Sequence, residues 1–112
     1  MKGVNKVILV GNLGNDPEVK NLEGNVKVAK FSLATNETFR DTNGQNQTQT
    51  DWHNIVVWRG LADFAEQYLH KGSMVYLEGK IKTRNYEDKQ GEKRYVTEII
   101  CEQIVMLDKL SS

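Results

Sequence analysis

Apolar positions along this chain recur mostly with a period of two, the spacing of β-strands. Val4 to Val10 is β-branched and apolar-rich, and reads as a first strand. Gly11-Asn12-Leu13-Gly14-Asn15-Asp16-Pro17 is expected to end it, because glycine, asparagine and proline break pairing. A short extended piece, Val19 to Leu22, leads through a turn at Glu23-Gly24-Asn25 into a long strand from Val26 to Thr38. Ala29, Phe31 and Leu33 share one face of it. Val26 and Val28 have the opposite parity, which predicts a bulge or bend near Val28. Arg40 to Asp51 contains no apolar residue and reads as a long mobile loop between two hairpin strands. The run Asp51 to Gly60, with Trp52 and Trp58 on one parity, is the next strand.

The period then changes. Leu61, Phe64, Ala65, Tyr68 and Leu69 make one helical stripe, with His70 and Lys71 expected in the last turn and Gly72 just past its end. Ser73 to Tyr86 alternates again. Val75, Leu77 and Ile81 face one way, and Glu78, Lys80, Lys82, Arg84 and Tyr86 the other. Glu87 to Glu92 is a hairpin loop, and Arg94 to Leu107 a last strand region bent near Glu102-Gln103. No internal repeat stands out. The expected fold is all-β with one helix. Three strand regions, a helix and two more strands give the order of a five-stranded OB barrel, with its helix between the third and fourth strands. Long strands carrying glycines such as Gly79 suit the bends of a small barrel.

The 112 residues suit one domain with a modest core. A single cysteine, Cys101, excludes an internal disulfide framework and a cysteine-based zinc site. No segment resembles a signal peptide or reaches membrane-spanning length, so a cytoplasmic protein is expected. The tripeptides Asn36-Glu37-Thr38 and Asn46-Gln47-Thr48 then read as chance glycosylation matches. Fifteen basic and fifteen acidic residues cancel. That balance counts somewhat against a nucleic-acid binder, yet a basic groove can be offset by acids elsewhere.

Candidate chemistry is concentrated in the aromatic residues. Trp52 and Trp58 point the same way, roughly 20 Å apart along a strand. Either they fill the barrel or they lie outside it. The opposite parity offers Ile55 and Val57, compact residues suited to a small interior, and the tryptophan face also carries polar Asn54. This favours an outer face, although aromatic rings are usually buried. Tyr86 shares its face with Lys80, Lys82 and Arg84, which cannot be a core; the plain alternative is a solvated face. Phe39 stands next to Arg40, and Arg59, Lys2 and Lys6 could extend the same basic surface. Rings interleaved with cations suit the stacking of unpaired bases beside neutralised phosphates. Enzymatic readings are weak. His53 and His70 lack a positioned partner, Gly11-Asn12-Leu13-Gly14 lacks the Lys-Ser/Thr of a phosphate loop, and the scattered acids show no metal-ligand spacing. No cofactor is expected.

The stretch Gly3-Val4-Asn5-Lys6-Val7-Ile8-Leu9-Val10-Gly11-Asn12-Leu13-Gly14, followed by Asp16-Pro17-Glu18-Val19, resembles the start of bacterial single-stranded DNA-binding proteins. The likeness continues in order through Leu33-Ala34-Thr35, Trp52-His53, Tyr68-Leu69, Lys71-Gly72-Ser73, Val75-Tyr76, Glu78-Gly79 and Thr83-Arg84. It implies an OB fold that assembles as a homotetramer, with a dimer as fallback, and wraps single-stranded DNA without sequence preference. The family's stacking positions fall on Phe39, Trp52, Trp58 and Tyr86, where the usual Trp at the first and last and Phe at the third are exchanged for other rings. The usual Gly-Lys after the third ring reads Arg59-Gly60, which moves the charge by one residue. His53 falls at a subunit-interface histidine, and Tyr76 is a second interface candidate.

Family members continue into a Gly/Gln/Pro-rich linker and an acidic tip that recruits replication and repair enzymes. This sequence ends at Lys109-Leu110-Ser111-Ser112. The expected division is a binding domain over 1–108 and a short stub over 109–112, in a truncated or a tail-less chain. The expected function is coating and protection of single-stranded DNA in replication, recombination and repair, in the nucleoid and without catalysis. A primosome-type OB accessory protein is the alternative among binding proteins. An OB-fold nuclease is disfavoured by the missing catalytic carboxylate and arginine arrangement.

Overall fold

The computed structural model describes residues 2–108; the expected stub at 109–112 lies outside the described residues. Six strands and one helix follow in order: β1 (Val7–Leu13), β2 (Glu18–Leu22), β3 (Val26–Arg40), β4 (Asn46–Trp58), α1 (Gly60–Tyr68), β5 (Met74–Glu87) and β6 (Lys93–Met106). The sheet runs β1-β5-β6-β4-β3-β2, and β1 also pairs with β3. That extra pairing closes β1, β5, β6, β4 and β3 into the five-stranded OB barrel, with β2 outside along β3. The helix comes after the fourth strand rather than the third, because the short Glu18–Leu22 piece is a strand in its own right, paired with Val26–Lys30. No helix among the described residues is long and apolar enough to cross a membrane.

Period-two alternation puts one parity of each strand inside. Ala29, Phe31 and Leu33 of β3, Ile55 and Val57 of β4, Val75 and Leu77 of β5, and Ile99 and Cys101 of β6 form the core. The helix plugs one end through Ala62 and Ala65, whose small side chains allow close approach. Tyr68, expected on the apolar stripe, is half exposed and packs at a tilt against Phe64 with ring centroids 5.3 Å apart. The helix also stops earlier than expected. Leu69 turns into extended backbone and its side chain fills the core, so His70 and Lys71 lie in a turn rather than in the last helical turn. Ser73 Oγ accepts from the His70 N–H, and the Gly72 N–H donates to Leu13, which ties this turn to β1.

Two other expectations change here, and one holds. The first strand does not end at Gly11 but runs to Leu13, where Asn12 and Leu13 pair with Ala34 and Leu33. A β-carbon at Gly11 would collide with the Ala34 carbonyl, so this glycine permits barrel closure rather than breaking the strand. The bulge expected near Val28 is absent: β3 pairs without a break with β2 and with β4. Val28 is apolar because the outer surface has a floor of its own, described below. The bend expected at Glu102-Gln103 is present. Glu78 faces Gln103 and Gly79 faces Cys101, which leaves Glu102 as the extra residue of a bulge.

Arg40 to Asp51 is not a long loop. β3 and β4 pair as far as Arg40 with Asn46, and only residues 41–45 turn. The β5–β6 hairpin extends likewise to Glu87 with Lys93. These two arms stand out from the barrel and raise the radius of gyration to 16.5 Å, against about 13 Å for a compact domain of this length. Their tips share one construction. Asp41 Oδ1 accepts the N–H groups of Asn43 and Gln45, and Asp88 Oδ1 those of Gln90 and Glu92. The second oxygen is held by Gln47 in one tip and by Arg94 in the other. The repeated pattern Asp-x-x-Gly-x was available in the sequence as a sign of two equal hairpin ends.

Candidate nucleic-acid interface

The outer parity of the strands forms a groove across the barrel wall. Asn54, Val56 and Trp58 of β4 lie beside Val28, Lys30 and Ser32 of β3 on one side. On the other stand Val96, Glu98 and Ile100 of β6, with Lys80, Lys82 and Arg84 of β5 beyond. Lys20 and Leu22 of β2 raise a wall next to Trp58. The floor is apolar along Val28, Val56 and Ile100, and the rim is cationic. A base can lie on such a floor while its phosphate stays at the edge.

Trp52 and Trp58 are on this outer face, 62% and 41% exposed, while Ile55 and Val57 are buried. Trp52 is held although exposed. Its ring lies over Gly14, where an added β-carbon would collide with the indole and with Ser32 Oγ. The Gly14 N–H donates to the Ser32 carbonyl, and Asn15 Oδ1 accepts both the Ser32 N–H at 2.9 Å and its hydroxyl at 2.7 Å. The segment between β1 and β2 therefore forms a seat for one ring. Trp58 pairs with Val28 at the far end of the groove. Tyr86 lies further out on the β5–β6 arm, 46% exposed and on the parity of Lys80, Lys82 and Arg84.

Phe39 stands apart from the other rings. The β3–β4 ladder is unbroken from Val28–Trp58 to Arg40–Asn46, so Phe39 keeps the parity of Leu33. It lies on the opposite face of the ladder from Trp52 and Trp58, 48% exposed because the arm has left the barrel. Arg40 ends β3, next to the turn.

The cations divide into free and engaged. Glu98 lies at the groove floor with its side chain 9% exposed, where Arg84 Nε meets its Oε1 at 2.9 Å and Lys30 Nζ its Oε2 at 3.6 Å. Burial pushes the Glu98 carboxyl up, but Arg84 and then Lys30 outweigh it and hold the group below its ordinary value. Stripping one partner from a buried pair costs about 3–5 kcal/mol, whereas an exposed pair contributes about 0–1 kcal/mol. Lys80 and Lys82 have no carboxylate partner among the described ion pairs. Lys6 is engaged elsewhere, 2.8 Å from Glu78. Glu78 also accepts the Tyr76 hydroxyl at 2.6 Å. The Lys6 contact, and then the Tyr76 hydroxyl, hold the Glu78 carboxyl below its ordinary value. Lys2 is exposed before β1.

Arg59 joins β4 to α1 with φ 56° and ψ −119°, a region that favours glycine. Its N–H donates to the Lys27 carbonyl at 2.7 Å. His53 has inner parity and shares a 2.9 Å hydrogen bond with Thr35 Oγ1. Tyr76 lies on the outside of the β1–β5 pair, opposite Val10.

The sequence model of the single-strand binding protein family matches residues 4–107. The chain belongs to this family. It is 50% identical over 107 residues to single-stranded DNA-binding protein 1 of Chlorobaculum tepidum, and 49% identical over 104 residues to the single-stranded DNA-binding protein of Neisseria meningitidis serogroup A. These alignments take in 95% and 93% of this chain but 66% and 60% of those proteins. The chain thus spans less than two thirds of the length of the curated relatives it matches. Among solved structures, the Plasmodium falciparum SSB complex with ssDNA superposes with a TM-score of 0.87 at 40% identity, covering 96% of this chain and 98% of that one.

Membership also clarifies the strand–helix junction. Resemblance placed the family's usual glycine where Arg59 stands, and Arg59 has the positive φ of a glycine position. Sequence reasoning did not single out Glu98, Lys30, Lys20 or the Gly14–Asn15 seat. A signal existed for Glu98 alone, as an acid on the parity of Ile100 beside an apolar run. Its burial depends on partners far away in sequence.

Proposed function

We propose that this chain binds single-stranded DNA without sequence preference, as a coating protein and not an enzyme. Trp52, Trp58 and Tyr86 stack on bases along the groove. Lys80 and Lys82 neutralise phosphates at its rim, with Lys20 on the opposite wall. Asn54 supplies a polar contact between the two tryptophans, while Arg40, Arg59 and Lys2 add charge nearby. Phe39 stacks on the far face of the β3–β4 arm, so the strand winds around that arm rather than running straight over it. The observation that carries this reading is the coincidence on one outer face of two exposed tryptophans, an apolar floor and a lysine rim. Family membership and the names of the single-stranded DNA-binding relatives support it.

The domain over 1–108 assembles as a homotetramer. β1 has β5 on one side but pairs with β3 only at Asn12 and Leu13, which leaves the edge from Val7 to Val10 unpaired. Ile8 and Val10 are exposed beside Tyr76 and Val105, and a second copy covers such a face at little cost. His53 and Tyr76 take part in these contacts. Replication and repair enzymes are partners only where the native protein carries an acidic tail; the site of action is the cytoplasm, on the nucleoid.

Titration of tryptophan fluorescence with oligo-dT tests the binding. Replacing Lys82 with Met flattens the salt dependence of log affinity by about 0.7, the value for one phosphate contact on a single strand. Light scattering of the free chain and of its complex gives subunit number and stoichiometry; a strictly monomeric mass at micromolar concentration refutes the assembly.

A further inference from the structure

We infer that Glu98 is a positioning residue that withholds Lys30 and Arg84 from the DNA backbone, so that bases and not phosphates occupy the groove floor. The inference deepens the proposed binding function and rests on it. Three observations carry it. Glu98 lines both halves of the groove, at the point where the Asn54 side meets the Trp58 side. Its side chain is only 9% exposed, yet both its partners are about half exposed, at 46% and 47% of their side chains. The residues around it at the floor, Val28, Val56 and Ile100, are apolar and offer a surface to a base but nothing to a phosphate.

The competition between Glu98 and a phosphate for the two cations is unequal. A backbone phosphate at the groove mouth is solvated and exchanges its partners readily, because an exposed ion pair gains little. Glu98 exchanges less readily. Losing Arg84 and Lys30 would leave the charge of a largely shielded side chain without a partner. The two cations therefore remain on Glu98, whose single negative charge offsets part of theirs, while Lys80, Lys82 and Lys20 at the rim carry charge with no carboxylate partner among the described ion pairs. A strand entering the groove meets stronger attraction at the edges than at the floor. Its phosphates stay on the rim and its bases turn inward toward Trp58.

The test is a salt titration of oligo-dT affinity for the parent chain, Glu98→Gln, Lys30→Met, Arg84→Met and the Glu98→Gln/Lys30→Met double variant. Removing the carboxylate charge releases the cations. Glu98→Gln then steepens the slope by about 0.7 for each cation that gains a phosphate. Lys30→Met flattens the slope by about 0.7 in the Glu98→Gln background and by far less in the parent. A residue that merely supports the fold would not produce this coupling. The inference is overturned if Glu98→Gln leaves the slope where it was, or if Lys30→Met flattens the parent by the full amount. If circular dichroism shows Glu98→Gln unfolded, Lys30→Met and Arg84→Met in the parent decide: small slope changes support the withholding, and full ones contradict it. A parent chain that fails to bind oligo-dT removes the proposed function and this inference together, whereas binding with a full Lys30 contribution removes only the inference.

Discussion

The Trp52 indole rests on the backbone of Gly14, so closely that a β-carbon at position 14 could not coexist with the ring in its present place. An exposed tryptophan is thereby held in one orientation before any ligand arrives, which reduces the entropy lost on stacking. Replacing Gly14 with Ala is expected to tilt the ring off its seat. Oligo-dT affinity should fall by up to the about 1–3 kcal/mol that a stacked base contributes. In the Trp52→Ala background the same change should cost far less. Equal losses in both backgrounds would mean that Gly14 acts through the fold and not through the ring.

Arg59 offers a gain rather than a loss. Its φ of 56° stores strain that glycine does not incur, on the order of 1–3 kcal/mol. Glycine returns part of this through greater freedom of the unfolded chain, about 0.4–1 kcal/mol. Arg59→Gly is therefore expected to stabilise the domain by about 1 kcal/mol in a denaturant titration, while DNA binding loses whatever the arginine charge supplies.

The barrel was legible in the sequence because its inner face obeys a simple rule. Ala29, Phe31 and Leu33, then Ile55 and Val57, then Val75 and Leu77 share the inner parity of their strands, and all are buried. The same rule put Trp52 and Trp58 outside. It failed in the arms, where neither face is buried. From Asn46 to Thr50 no apolar residue marks the strand; pairing rests on the backbone ladder and on contacts such as Thr50 Oγ1 to Asn36 at 2.7 Å. It failed again at Val28, where a second, outer apolar surface mimicked a change of register. The pairing of Arg84 with Glu98 was hidden for another reason: one face of β5 reads as a row of free cations until the neighbouring strand is aligned beside it.

The two hairpin tips predict a response to acid. The Gln45 N–H, then Gln47, hold Asp41 below the ordinary aspartate value of 3.8, and Arg94, then the Glu92 N–H, do the same for Asp88. A depressed carboxyl stabilises the folded tip above the unfolded value, and that contribution is lost as pH falls through the folded one. The protection of the Asn43, Gln45, Gln90 and Glu92 amides, taken relative to their intrinsic exchange rate at each pH, should thus be high at pH 6 and fall as the pH drops below about 4. Asp41→Asn and Asp88→Asn should remove most of this dependence. Unchanged exchange in the variants would assign the tip order to the backbone bonds alone.

Burial pushes the Cys101 thiol up to about 11. Its S–H donates to the Gln103 carbonyl at the β6 bulge. The thiolate, the reactive species, is therefore scarce at ordinary pH. Alkylation at pH 8 should proceed only at the rate of global opening and become rapid in denaturant. Rapid labelling of the native chain would show that the bulge opens locally.

The outer face bearing Trp52 and Trp58 is the proposed surface for single-stranded DNA. Tryptophan emission during oligo-dT titration of the parent chain, Trp52→Phe and Trp58→Phe tests it most directly. The account predicts saturable quenching of the parent, and partial quenching of each variant from the one indole it retains. Emission that does not change while DNA binding is recorded by another signal would contradict it and move the binding face to another part of the barrel.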